Sequence, residues 1–323
     1  MATTTQRLLA TALATALTLP APAHATTTPT TTPTHTTTYP GHTTSRYVPL
    51  GPATADHARD AGCTEARTGT NGVRILFFGT QETDHQLREP GTSHATTTPR
   101  AATTKAASYA HHWAQGFTDC RTGQTTATLA LGVNNKDDGN LTGPTAGKQW
   151  ATLVHDARQR STTPAVTITG ALDAEPAWST PTWARGWIDA YTKNTTTPLH
   201  TANSADGCPT TGTAHCNNNW TLADVHHLAG GGRPTVHALP QIYRTDGIQA
   251  RQWANISRWG HTHADDPLRF AGAMSQHTAC QQRTCNNTDN TPRQAWTQLT
   301  DALNAHASTR IPALDTATDI RWP

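Results

Sequence analysis

Ala165-Val166-Thr167-Ile168-Thr169-Gly170-Ala171-Leu172-Asp173-Ala174-Glu175-Pro176 begins as an apolar run and ends on two carboxylates and a proline. Residues 165–172 read as a short buried strand, because an apolar run of that length bounded by turn formers is too short for a helix. Similar runs recur on either side. Val73-Arg74-Ile75-Leu76-Phe77-Phe78-Gly79 is one, and 128–133, running into Asn134-Asn135, is another. Residues 199–203, 235–243 and 268–274 complete six clear strands.

Helical segments separate these strands. Over 101–117, Tyr109, Trp113 and Phe117 recur every four residues on one face. Residues 145–160 place Trp150, Leu153 and Val154 inward. Thr180-Pro181 opens the next helix, with Thr as N-cap and Pro at the first helical position. Trp183, Trp187 and Tyr191 line its inner face, and helices over 247–259 and 292–305 follow. Residues 225–228 are either a seventh strand or part of a helix begun at Thr221-Leu222-Ala223-Asp224. Residues 320–322 supply an eighth strand. Strands alternating with helices imply parallel strands joined by crossovers. The fold class is therefore α/β, a (β/α)8 TIM-like barrel, irregular or incomplete at the two weakest units. An open doubly wound sheet is the alternative, but no strand runs into G-x-G-x-x-G or a P-loop. Gly230-Gly231-Gly232 reads as a flexible turn.

Outside the barrel pattern, residues 1–25 read as a secretory signal peptide. Arg7 precedes an apolar stretch over 8–19, Pro20 and Pro22 break it, and Ala23-His24-Ala25 forms an A-x-A cleavage site. Residues 26–45 are mostly Thr, Pro and His and read as an extended linker. That leaves 46–323 as one barrel domain. Export places the six cysteines in an oxidising compartment. Spacing favours Cys208–Cys216 and Cys280–Cys285 as local bridges, leaving Cys63–Cys120 to close a long loop worth ~4 kcal/mol. A zinc site is the alternative, but no pair has C-x2-C spacing.

Composition excludes several classes. Among 323 residues, 35% are hydrophobic and 14% charged, with a formal net charge of +2. Mixed charge argues against nucleic-acid binding, and no apolar run reaches the ~20 residues needed to span a bilayer. Ten Trp argue against disorder. The chain holds 65 Thr and only four Lys, so Arg carries the positive charge, a bias that high-GC codon usage would produce.

In a barrel, functional groups sit at the C-terminal ends of the strands. Those ends collect amides and carboxylates, which suit sugar hydroxyls, and no Arg or Lys to suit phosphate. Asp173 and Glu175 are two residues apart and so share a strand face, ~6.5–7 Å apart along the backbone. Carboxylates held this close repel, and one becomes an acid near neutral pH. Glycoside hydrolysis needs such a pair. Glu175, further out, is the expected acid, with Asp173 orienting it or stabilising positive charge. The plainer reading makes Asp173 a loop cap and Glu175 a solvated side chain. Asn134, Asn135, Asn203, Asp206, Gln241 and Tyr243 complete the expected substrate contacts, with Trp178 as a stacking platform. The remaining helical Trp read as packing. His111-His112 and His226-His227 are poor chelates because adjacent side chains diverge. His261-x-His263 is the third cluster, and neither a zincin motif nor a G-x-S-x-G elbow occurs. No metal or cofactor is expected.

Gly132-Val133-Asn134-Asn135, the segment 170–175, Ala205-Asp206-Gly207-Cys208-Pro209, Leu239-Pro240-Gln241-Ile242-Tyr243 and the tail from Asp289-Asn290-Thr291-Pro292 to Asp319-Ile320-Arg321-Trp322 resemble a family of secreted actinobacterial proteins of uncharacterised activity. The resemblance covers nearly all of the chain after the leader. It implies a glycoside-hydrolase-like barrel with a D-x-E strand. His226-His227-Leu228-Ala229 departs from the pattern, since relatives tend to carry aromatics there, and this removes an expected sugar platform. The expected protein is secreted, extracellular and monomeric. It takes a glycan or cell-wall polysaccharide as partner, and hydrolyses it or, in the rival reading, only binds it.

Overall fold

The alternation of strand and helix closes on itself. The computed structural model describes residues 38–95, 97–161 and 163–323, so the expected leader (1–25) and most of the expected linker lie outside the described residues. Eight parallel strands follow one another around a ring. They are β1 (Thr43–Tyr47), β2 (Gly72–Phe77), β3 (Ala127–Asn134), β4 (Val166–Asp173), β5 (Leu199–Thr201), β6 (Val236–Ala238), β7 (Gly272–Ser275) and β8 (Thr316–Arg321). β8 pairs with both β7 and β1. Bridges at Ala238–Phe270 and Gln241–Met274 close the seam between β6 and β7. The helices are α1 (Ala55–Arg67), α2 (Thr104–Cys120), α3 (Gly143–Arg160), α4 (Pro181–Asn194), α5 (Leu222–Leu228), α6 (Ile248–Ala264), α7 (His277–Gln282) and α8 (Pro292–Asn304). The chain is a (β/α)8 barrel.

β3 and β4 pair residue for residue, from Ala127 with Val166 to Asn134 with Asp173. Alternation along β4 sends Ile168 and Leu172 toward the helices and Ala171 and Asp173 into the barrel. This produces two cores. Val73, Ile75, Phe77, Ala130, Ala171, Ala202, Leu239, Met274 and Ile320 form the inner one. The outer one lies between sheet and helices and takes in Trp113, Trp150, Trp187, Trp253 and Trp296. The helical Trp thus pack as expected.

Close helix contacts use glycine. A Cβ on Gly62 of α1 would stand 2.0 Å from the Trp113 carbonyl oxygen of α2, and one on Gly116 would stand 2.1 Å from the Arg59 oxygen. Cys63–Cys120 staples the same two helices, and Cys208–Cys216 and Cys280–Cys285 close short loops. All three pairings match the expectation from spacing.

Two expectations need correction, one open choice is decided, and one element was not expected. Thr43, Thr44 and Ser45 belong to β1, so the linker does not extend to residue 45. This strand lacks apolar alternation because its inward groups are polar and satisfied. The Thr43 hydroxyl donates to the Val73 carbonyl, and Ser45 and Thr318 share a hydroxyl hydrogen bond of 2.8 Å. Residues 225–228 are helical, not a strand. Thr221 and Asp224 form a reciprocal capping box that starts α5. The strand expected over 235–243 is regular only from Val236 to Ala238, because Pro240 has no N–H for the ladder. Finally, 80–102 carries an unforeseen antiparallel sheet of Thr80–Glu82, Gln86–Arg88 and Arg100–Ala102. Arg88 is fully buried in it, between Glu82 and Asp138.

Two stability outcomes follow from the packing. Gly62→Val forces α1 off α2 and is expected to cost about 1–3 kcal/mol, read as a lower thermal midpoint. His200, buried on β5 beside His237, has its pKa pulled down to about 4 by desolvation and by that neighbour. The folded state therefore resists protonating it. Its contribution is complete above the unfolded value of about 6.5 and is lost as pH falls toward 4. Denaturant midpoints at pH 7 and pH 4.5 should differ less in His200→Gln than in the native protein.

Candidate active site

The C-terminal ends of the strands open into a mouth of about 220 Å³. β1 contributes Tyr47, and β2 contributes Phe77 and Gly79. Asn134 and Lys136 come from the end of β3, and Asp173, Glu175 and Trp178 from the end of β4. Gln241 and Tyr243 follow β6, Gln276 follows β7, Trp322 follows β8, and Pro90 and Gly91 reach in from the 80–102 insertion.

Asp173 ends β4 pointing inward, and Glu175 lies two residues beyond it. One amide nitrogen serves both. Gln241 Nε2 donates to Asp173 Oδ1 at 2.9 Å, to Glu175 Oε1 at 3.3 Å and to the Ala202 carbonyl at 3.1 Å. The backbone carrying the pair is clamped from below. Asn135 Oδ1 accepts the Glu175 N–H at 2.9 Å while its Nδ2 donates to the Glu175 carbonyl at 3.0 Å. Asn203 Oδ1 accepts the Ala174 N–H at 3.0 Å.

Burial pushes the Glu175 carboxyl up to about 7, with the Asp206 charge adding to the rise. Burial and the Glu175 charge hold Asp173 well above the usual carboxylate range. The Gln241 hydrogen bonds and the Lys136 charge oppose both shifts. Both shifts favour keeping a proton on the pair as pH nears neutrality. The Tyr47 and Tyr243 hydroxyls stay neutral, their pKa values raised first by burial and then by neighbouring charge.

Of the residues expected from sequence, Asn134, Asp173, Glu175, Trp178, Gln241 and Tyr243 share the mouth. Asn135 and Asn203 do not line it; they are buried and hold the backbone beneath. Asp206 is also outside the lining and acts on Glu175 through its charge. Sequence reading missed Tyr47, Lys136 and Trp322. Tyr47 ends a strand whose first three residues were expected in the linker, and Trp322 stacks on it at 4.1 Å with the Arg283 guanidinium 3.3 Å from the Trp322 ring centre. His226 and His227, where the resemblance led to an expected aromatic platform, sit on α5 and do not line the mouth. His226 Nε2 bonds the Asp266 carbonyl, and His227 meets Asp189.

Among the described residues no group of three His, Cys, Asp or Glu side chains is placed to hold a metal ion. No described helix is long and apolar enough to cross a membrane. Two larger hollows, of about 560 and 660 Å³, are lined by residues of α6 and α8 and of α2 and α3, and neither shares a lining residue with the mouth.

No protein-family model matches the chain, and no curated protein matches it. Similar solved structures include an endo-1,4-β-D-mannanase from Thermotoga petrophila, at 9% identity and TM-score 0.40, covering 87% of this chain and 88% of that one. An endo-1,4-β-mannanase from Rhizomucor miehei stands at 8% identity and TM-score 0.45, covering 87% and 85%. The barrel assignment rests on the strand pairing itself.

Gln241→Leu removes the donor that both carboxylates share. Because that hydrogen bond favours the charged forms, the Glu175 titration should move above about 7. Carboxyl carbon NMR of labelled protein across pH 5–9 reads the shift.

Proposed function

We propose that the protein is a secreted glycoside hydrolase in which Glu175 is the general acid and Asp173 its partner. The observation that carries this reading is the single Gln241 amide holding both carboxylates at the floor of an aromatic-walled barrel mouth. Such a pair retains one proton at neutral pH because two charges cannot share so small a buried space.

The reaction then follows. Glu175 gives its proton to the glycosidic oxygen as the bond to the anomeric carbon breaks, and the leaving sugar departs neutral. The pair is left with one more negative charge, which faces the positive charge developing on the sugar ring. Water adds at the anomeric carbon and its proton returns the pair to the starting state. Asn135 and Asn203 act as positioning residues: they fix the strand end from which both carboxylates project. Asn134, Trp178, Gln241 and Tyr243 line the space a sugar would occupy, with Trp178 offering a ring face and Asn134 an amide. Asp206 assists by keeping Glu175 protonated. The leader expected over 1–25 and three disulfides support an extracellular place of action.

Chromogenic and reducing-end assays against a polysaccharide panel test the reading. The native protein should release sugar from at least one glycan. Glu175→Gln should lose about 10²–10⁴-fold in kcat with ligand affinity kept within a few-fold. A native protein that binds a glycan and never cleaves it would leave the mouth as a binding site only.

A further inference from the structure

The mouth does not end at Trp178. A second, more open chamber of about 480 Å³ adjoins it, walled by Thr92 and Ser93 of the insertion, Asp138 and Ala177. Gly91, Lys136 and Trp178 line both spaces. The two therefore form one cleft with Lys136 and Trp178 at the junction.

Among the described residues Lys136 is the one cation lining either chamber. Its Nζ lies 5.2 Å from the centre of the Trp178 ring, and its side chain is half-buried. Among the described residues it forms no salt bridge. Asp138, the carboxylate nearest to hand in the outer chamber, is already bound by the buried Arg88. The charge of Lys136 acts on Asp173 and Glu175, opposing their upward shifts, but neither carboxylate comes within salt-bridge distance of it. An ammonium held in a cleft beside an aromatic face, with no carboxylate at salt-bridge distance among the described residues, can pair with a carboxylate brought by a ligand. The chain also has only four Lys against a large excess of Arg, and one of the four stands here.

We propose that the outer chamber is a subsite for an acidic sugar residue, whose ring lies on Trp178 and whose carboxylate pairs with Lys136. The proposal rests on the glycoside reading and narrows its substrate class to uronate-containing glycans. The chemistry is consistent with the inner site. Below neutral pH, protonation of Glu175 removes a negative charge that would repel an anionic ligand.

The test is calorimetric, on Glu175→Gln protein so that no ligand is consumed. Oligogalacturonide, alginate and hyaluronan oligosaccharides are each compared with the same oligosaccharide after reduction of its carboxylates to alcohols. These arms separate plant, algal and animal sources of one chemistry. At least one uronate ligand should bind about tenfold more tightly than its reduced form, and the difference should shrink with salt. Lys136→Met should erase that preference while leaving the reduced ligand's affinity within about twofold, and Lys136→Arg should keep most of it. Thermal midpoints confirm that both variants fold. Equal binding of native and reduced ligands overturns the proposal, as does equal weakening of both by Lys136→Met, or no binding across the panel. The hydrolase reading fails separately. If the native protein cleaves nothing while the Lys136-dependent preference stands, the subsite holds and the catalytic assignment falls. If a neutral glycan is cleaved and no preference appears, the reverse is true.

Discussion

The Gln241 side chain joins the closure of the barrel to its chemistry. The β6–β7 seam has no continuous ladder, and Gln241 sits in one of its two bridges, opposite Met274. Its backbone N–H donates to the Asn203 carbonyl, and its side-chain amide reaches across the mouth to both carboxylates. If the seam opened, the donor that holds Asp173 and Glu175 would move with it. A buried carboxylate without a hydrogen-bond partner costs several kcal/mol, so the pair and the seam stabilise each other. Asn135 and Asn203 complete the arrangement from beneath, fixing backbone rather than substrate.

Much of this was legible in the sequence because the barrel's demands are periodic. Apolar strands and Trp-lined helix faces alternate, and the strand ends can then be read as a list of site candidates. Asp173, Glu175, Gln241 and Tyr243 came from that list and meet in one mouth. Two kinds of residue escaped it. Tyr47 and Trp322 come from β1 and the end of β8, where polar inward groups such as Ser45 and Thr318 hide the period. Lys136 lies past a strand end, and the contact that gives it meaning is with Trp178, 42 positions away in the chain. Sequence also credited Asn135 and Asn203 with touching substrate. Residue type shows what a side chain can bond, whereas only the fold shows whether sugar or backbone is in reach.

The threonine excess, which codon bias alone seemed to explain, has structural work within the folded part. Thr54, Thr142, Thr180, Thr221 and Thr291 cap five of the eight helices, each accepting a backbone N–H from the first turn. Thr43, Thr201 and Thr318 are buried in the sheet, where a hydroxyl finds a carbonyl or a second hydroxyl, and the buried Thr169 hydroxyl meets the His200 ring nitrogen at 3.3 Å. Thr64, Thr118, Thr192 and Thr300 donate back to the carbonyl four residues earlier. Threonine is β-branched and carries one short polar group. It therefore serves strands and helix starts alike without leaving that group unpaired.

The 80–102 sheet stands apart from this economy. It hangs on the β2–α2 connection and carries its own internal ion pairs, with Glu82 meeting Arg88 and Arg100. Its links to the barrel include Gln81, which takes the Trp187 indole N–H and donates to the Ala146 carbonyl, and Arg88, which pairs with Asp138. Its tip supplies Gly91, Thr92 and Ser93 to the outer chamber and no group to the carboxylate pair. The outer chamber can therefore change its lining through residues 91–93 while the eight strands and the carboxylate pair they carry stay as they are.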